Sequence, residues 1–113
     1  MNPSKVVRDK VRRLVDLPNV GPAMAGDLEL LGFSRPAQLA GADPLQLYAS
    51  LCHATGERQD PCVLDVFMSI THFLAGGPAR PWWHYTGQRK RQYATLPAPA
   101  RDGAAASPAG ARR

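Results

Sequence analysis

Proline and glycine cut this chain into pieces of helix length, and that punctuation constrains its fold more than any other feature. Pro22 suits the first turn of a helix, where its missing N–H forfeits no hydrogen bond, and Gly32 supplies a left-handed stop. Asp43-Pro44-Leu45-Gln46 reads as an Asp N-cap, a Pro at the first helical position and a Gln completing a capping box. Asp60-Pro61 repeats the cap, and Gly76-Gly77-Pro78 ends the segment it opens. Between these marks the apolar residues recur at three and four: Ala25, Leu28 and Leu31; Leu47, Tyr48 and Leu51; Val63, Val66, Phe67, Ile70, Phe73 and Leu74. Val7, Val11, Leu14 and Val15 show the same spacing and predict a first helix over residues 4–16. Pro36 to Ala40 forms a single turn, and Pro81-Trp82-Trp83-His84-Tyr85 begins a last aromatic, then basic, segment. Strand alternation is nearly absent. The expected fold is all-α, a compact bundle of about five helices.

With 113 residues the chain supports one core and not two. Pro97 to Arg113 contains no aliphatic side chain larger than Ala, too little to offset the entropy of ordering it. The expected division is a helical domain over residues 1–96 and a disordered tail over 97–113. Hydrophobic residues at 44% exclude wholesale disorder. Asp65 and His72 break the most apolar stretch well before it reaches the roughly 18 residues that a membrane span needs. The charged N-terminus is followed by no apolar run of the secretory kind, and two cysteines make no disulfide framework. The expected compartment is the reducing cytoplasm, with no membrane contact and little room for an enzyme built around its own cofactor domain.

The formal charge of +5 is unevenly distributed. Lys5, Arg8, Lys10, Arg12 and Arg13 face a single acid, Asp9, in the first fourteen residues. Residues 15–75 hold only Arg35 and Arg58 against seven acids, and residues 76–96 hold Arg80, Arg89, Lys90 and Arg91 against none. A polyanion partner would therefore meet the two basic ends, not the acidic middle. The competing reading is that these charges are merely solvated.

Leu14, Leu17, Val20, Ala25, Leu28 and Leu31 bracket the loop Pro18-Asn19-Val20-Gly21-Pro22. A tight helix–loop–helix turn needs an apolar residue tucked inward at Val20, backbone freedom at Gly21 and a small Ala25 where the helices approach. The stretch resembles the helix-hairpin-helix motif of DNA-repair and recombination proteins. That resemblance implies backbone N–H groups at the loop and the following helix start offered to a nucleic-acid phosphate, here from Asn19, Gly21 and Ala23. Asn19 stands where that family usually has Gly and tolerates left-handed geometry; Ala23 stands where many members have Lys or Arg, which removes about one phosphate contact. Together with Asp43-Pro44-Leu45-Gln46-Leu47-Tyr48, Asp60-Pro61-Cys62-Val63-Leu64-Asp65-Val66-Phe67 and Pro81-Trp82-Trp83, the loop is similar to the bacterial "pathogenicity locus" family of small helix-hairpin-helix proteins, over roughly residues 10–92. Sequences of this kind also carry mitomycin-resistance labels, which name a context and not a mechanism. The resemblance implies a helical fold, a nucleic-acid or interaction role, and no established reaction.

Other chemistry is weaker. Cys52 and Cys62 lack a Cys-x-x-Cys pair and common zinc spacing, so no metal is expected. Cys62, in a first helical turn, admits a reactive thiolate, against the commoner alternative of an inert packed thiol. Asp60 is explained as a cap, and Asp65 as an acid near a helix start. No catalytic constellation, nucleophile elbow or phosphate-binding Gly-Lys loop is visible. Trp82, Trp83, Tyr85 and Tyr93 mix with cations, either stacking bases or clamping the last segment onto the helix before it, with one Trp packed and one exposed.

The expected function is thus a non-catalytic helix-hairpin-helix protein that associates with DNA through phosphates without reading sequence. Its contacts would come from Asn19, Gly21 and Ala23 at the hairpin, Arg8, Arg12 and Arg13 on the first helix, where Lys5, Arg8 and Arg12 share one face, and Arg89, Lys90 and Arg91 near the end. No cofactor, metal or small-molecule substrate is expected. The alternatives are a protein-interaction module using the aromatic segment or the acidic face, and a thiol redox sensor using Cys52 and Cys62.

Overall fold

The computed structural model describes residues 5–93 and Leu96. Its α-helices are α1 (Pro22–Leu30), α2 (Pro44–Thr55), α3 (Cys62–Leu74) and α4 (Thr86–Gln92), joined by short 3-10 turns at Arg8–Lys10, Leu14–Asp16, Pro36–Leu39 and Trp82–Tyr85. No strand occurs among the described residues, so the all-α expectation holds. The disordered tail expected over 97–113 lies outside the described residues. No helix among them is long and apolar enough to cross a membrane.

α3 is the central pillar. Every residue from Leu64 to Ile70 is buried, around the whole circumference, as befits a helix enclosed by others. α2 packs along one side of it, the Trp82–Tyr85 turn and α4 along another, and the Pro36–Leu39 turn covers a third. α1 packs on the Leu14–Asp16 turn. Leu14, Leu17, Val20 and Leu28 carry that outer layer into the same core as Leu39, Tyr48, Leu51, Phe67 and Ile70. Trp82, Tyr93 and Leu96 pack against its edge.

The punctuation acts as expected at most boundaries. Asp43 caps α2 by accepting from the Leu45 N–H at 3.0 Å, and Asp60 accepts from the Cys62 N–H at 2.9 Å. The reciprocal Gln46 bond does not form among the described residues. Gln38 instead supplies such a bond for the turn before, accepting from the Ser34 and Arg35 N–H groups at 2.7 and 2.8 Å. α3 ends in a Schellman motif: Gly76, at φ 107°, donates to the Phe73 carbonyl and Gly77 to the His72 carbonyl. α1 stops the same way, through Gly32 and Phe33.

The first helix predicted over residues 4–16 is not there. Two isolated 3-10 turns stand in its place, with extended backbone at Val7, Val11 and Arg13. The cause is local competition. The Asp16 carboxylate accepts from the Arg12 and Arg13 N–H groups at 2.9 and 2.8 Å, using donors that a continuous helix would need. Those bonds hold the Asp16 carboxyl below its ordinary range. β-branched Val7, Val11 and Val15 add nothing to a helix that tertiary contacts can replace. Arg8 reaches across to the end of α3, donates to the Phe73 and Gly77 carbonyls, and stacks over the Phe73 ring at 4.0 Å. A cation at the negative end of α3 thus anchors the N-terminal segment.

Candidate functional site

The loop leading into α1 is built on one strained residue. Asn19 sits at φ 65°, and the Val20 N–H closes the turn onto the Leu17 carbonyl at 3.3 Å, with Pro18 leading it. Pro followed by a left-handed residue is the arrangement of a type II turn, and Asn is among the few non-glycine residues that tolerate it. Both donors of its side chain are used: the amide donates to Ser69 Oγ at 2.9 Å and to the Arg80 carbonyl at 2.7 Å. Ser69, itself buried, donates its hydroxyl hydrogen bond to the Val66 carbonyl. Asn19 therefore ties three pieces together, the loop, α3 and the segment before Trp82, and its amide N–H groups are not free for a ligand.

Gly21 differs from expectation. It is the residue before α1, at φ −95° and ψ −176°, extended backbone open to any residue, and a Cβ placed there meets nothing within 4 Å. The positive φ that the turn requires falls on Asn19 instead. Ala23 is exposed in the first turn of α1, where the N–H groups of Ala23 and Met24 make no hydrogen bond among the described residues. Pro22 to Gly26 carry no charge; Asp27 lies about 7 Å further along the axis, at 1.5 Å per residue.

The basic residues separate into two groups. Arg8 is committed to the end of α3, as described. Arg89 is committed to Asp65, whose carboxylate is 0% exposed: Arg89 Nε donates to Oδ1 at 2.9 Å and Thr86 Oγ1 donates to Oδ2 at 2.7 Å. Asp65 is thus the buried anchor of α4 and not an acid dressing the start of α3. Arg12 and Arg13 remain exposed, Arg12 donating to the Asp9 carbonyl and Arg13 paired with Asp16 at 3.4 Å. With no first helix, Lys5, Arg8 and Arg12 do not share a helical face. Lys90 and Arg91 are exposed on α4, with no side-chain partner among the described residues.

Sequence spacing did not single out Arg80. The bond from Asn19 to its carbonyl sets the segment 80–84 beside the loop that leads into α1, and its exposed guanidinium donates to His84 Nε2 at 2.5 Å. Trp82 is partly buried against the core, while Trp83 is 63% exposed, its ring edge-on to Trp82 with centroids 5.6 Å apart. One Trp packs and one is exposed, as expected. The signal that pointed here was the absence of any acid between Gly76 and Tyr93; the pairing across sixty residues of chain is a tertiary fact.

The cysteines offer no reactive centre. Cys52 is buried and its sulfur accepts from the Gln59 N–H at 3.4 Å. Cys62 is half-buried; burial, and then the Asp60 carboxylate, push its thiol up to about 11, the reverse of the lowering expected from a helix start.

The chain is 49% identical over 78 residues to the mitomycin resistance protein McrB of Streptomyces lavendulae, a match covering 69% of this chain and 74% of the relative. No solved structure matches the chain. The pathogenicity locus family matches residues 7–91, from the anchored N-terminal segment through the loop before α1 and the α3 pillar into the basic α4, and the chain belongs to that family.

Proposed function

We propose that this chain is a non-catalytic, cytoplasmic protein of helix-hairpin-helix type that associates with nucleic acid through phosphate contacts without reading sequence. The observation that carries the reading is the Asn19 tie to Arg80. It brings the loop, the free N–H groups opening α1 and the acid-free segment 80–84 onto one surface. A helix start with unpaired N–H groups favours an anion, and Arg80 supplies the fixed cation that Ala23 does not. Apart from Arg80 and the committed Arg8 and Arg89, the exposed cations of the two basic ends among the described residues are Lys5, Lys10, Arg12, Arg13, Lys90 and Arg91. Arg8 and Arg89 stabilise the fold and contribute no contact of their own.

Fluorescence anisotropy with a labelled duplex at several salt concentrations tests this. Binding should weaken with salt, and Arg80→Ala should reduce the logarithmic slope by about 0.9, the share of one phosphate. Duplex binding with no salt dependence, or with a slope that Arg80→Ala leaves unchanged, would refute the assignment. The name of the Streptomyces relative suggests a phenotype to score alongside, survival of cells on mitomycin with and without the substitution. A second reading, docking of a protein partner, is favoured by Leu30 and Trp83, 58% and 63% exposed. It takes precedence when no oligonucleotide binds at low salt.

A further inference from the structure

Trp83 adds something that phosphate contact does not require. An indole 63% exposed at the surface of a small domain loses the hydrophobic gain its partner Trp82 secures by packing. Its placement is nevertheless fixed. Trp82, packed against the core, meets it edge to face at 83°, and Pro81 enters the turn at φ −63° and ψ 150°. Trp83 is thus a rigid aromatic plate that loses little freedom when it is covered. Around it in sequence the formal charge has one sign: Arg80 lies three residues before it, and no Asp or Glu lies between Gly76 and Tyr93. Asn19 holds this segment against the hairpin loop, whose helix start presents backbone donors.

We propose that Trp83 is a stacking platform for an unpaired base, so that the surface takes single-stranded nucleic acid, DNA or RNA, in preference to duplex. The proposal rests on the phosphate-binding reading above and specifies its substrate. In a duplex, each base face is already covered by its neighbours and the indole has only the ends to cover. In a single strand a base can leave its neighbour, stack on Trp83 and keep its phosphate near Arg80. Stacking of this kind tolerates every base, which suits a surface without sequence-reading side chains. The charge pattern favours this occupant over an apolar protein segment, because a protein partner gains nothing from the acid-free, Arg80-bearing segment 76–93 unless it is itself acidic.

The full chain should be titrated with oligo(dT), oligo(U) and a blunt duplex of matched length, read by anisotropy and by tryptophan emission. Oligo(dT) or oligo(U) should bind more tightly than duplex and quench the emission; the tighter of the two identifies the sugar. Trp83→Leu should weaken single-strand binding about ten-fold or more while leaving the salt slope and the duplex affinity unchanged, and Trp83→Phe should retain most of the affinity. Because Trp83 is exposed, both variants should show the wild-type melting curve. Salt-dependent binding with Trp83→Leu as tight as wild type would overturn the stacking proposal and leave the phosphate reading intact. An absence of binding to all three probes at low salt would overturn both.

Discussion

The ion pair between Asp65 and Arg89 gives the most direct test of how this fold is held. Asp65 is 0% exposed and the Arg89 side chain 14% exposed, so neither charge is well solvated, and α4 reaches the pillar through this pair and the Thr86 hydroxyl. Arg89→Met keeps the length of the side chain and removes the charge. It leaves a buried carboxylate with one neutral donor, Thr86, where it had a guanidinium at 2.9 Å. Breaking a buried pair from one side costs about 3–5 kcal/mol, because the remaining charge is uncompensated. Arg89 retains some solvent contact, so the lower end applies, about 3 kcal/mol. For a domain of this size that lowers the melting temperature by roughly 10–20 °C. Removing both charges should cost far less: Asp65→Leu with Arg89→Met should return to within about 1 kcal/mol of wild type, since an apolar replacement of a buried pair is often neutral.

Urea denaturation of the two single variants and the double completes the cycle, and the interaction energy appears as the departure from additivity. Additive losses, or an Arg89→Met cost below about 1 kcal/mol, would show that Arg89 behaves as a solvated surface cation. In that event it returns to the group of exposed cations available to phosphate. The same variants bear on function: in folded Asp65→Leu/Arg89→Met protein the net charge is unchanged, so duplex affinity and salt slope should both stay at the wild-type values.

Three further outcomes are expected. Gly21→Ala should alter stability by no more than about 0.5 kcal/mol, whereas Asn19→Ala should cost about 2 kcal/mol, combining the left-handed backbone with two lost hydrogen bonds; equal costs in denaturant titrations would disprove the turn assignment. Arg8→Ala should destabilise by about 1 kcal/mol through the lost α3 carbonyl contacts and Phe73 stacking, while Arg12→Ala should not, and thermal melts that rank them the other way would contradict the anchor. The Cys62 thiol, raised from an ordinary 9.0 to about 11, should react slowly with a thiol-specific disulfide reagent at pH 8 and accelerate only toward pH 11. A raised folded value means the folded state holds the proton more tightly than the unfolded state, so the associated stability is present below pH 9 and is lost as pH rises toward 11. Fast labelling of folded protein at pH 8 would contradict the burial of Cys62.

The helix boundaries were legible where a single residue type enforces them. Asp43, Asp60, Gly32 and Gly76 act through their own backbone or an adjacent N–H, so a short window of sequence contains both partners of each bond. The N-terminal segment was not legible, although its apolar spacing satisfied the helical template. Val7, Val11, Leu14 and Val15 specify which side faces inward, and a 3-10 turn, an extended step and another turn place Leu14 inward as well as a helix would. What decided the outcome was Asp16 taking two backbone donors and Arg8 finding carbonyls at the far end of α3, 65 and 69 residues away. Neither partner of Arg8 can be inferred from its neighbours in the chain.

The same distinction governs the candidate site. Counting charges correctly located two basic ends but not which cations are free, because freedom depends on a partner. Arg8 and Arg89 look no different in sequence from Arg12 and Lys90, yet the first two hold α3 and α4 in place. Asp65 was read from its position in a first turn, where an exposed acid complements the dipole; enclosure by α4 converts it into the counter-charge of Arg89. The cost of that exchange falls on any polyanion contact, which loses two of the cations expected to make it. On the proposed surface Arg80 and Trp83 would compensate in part, and it is Asn19 that holds their segment in place. Its side chain joins the loop to the aromatic segment, so one substitution, Asn19→Ala, should loosen the hairpin and misplace Trp83 together. Asn19→Asp separates the two effects: it keeps tolerance for the left-handed backbone but turns an amide donor into an acceptor facing the Arg80 carbonyl. Such a variant should retain the turn and release the 80–84 segment, so that single-strand affinity falls further than stability does.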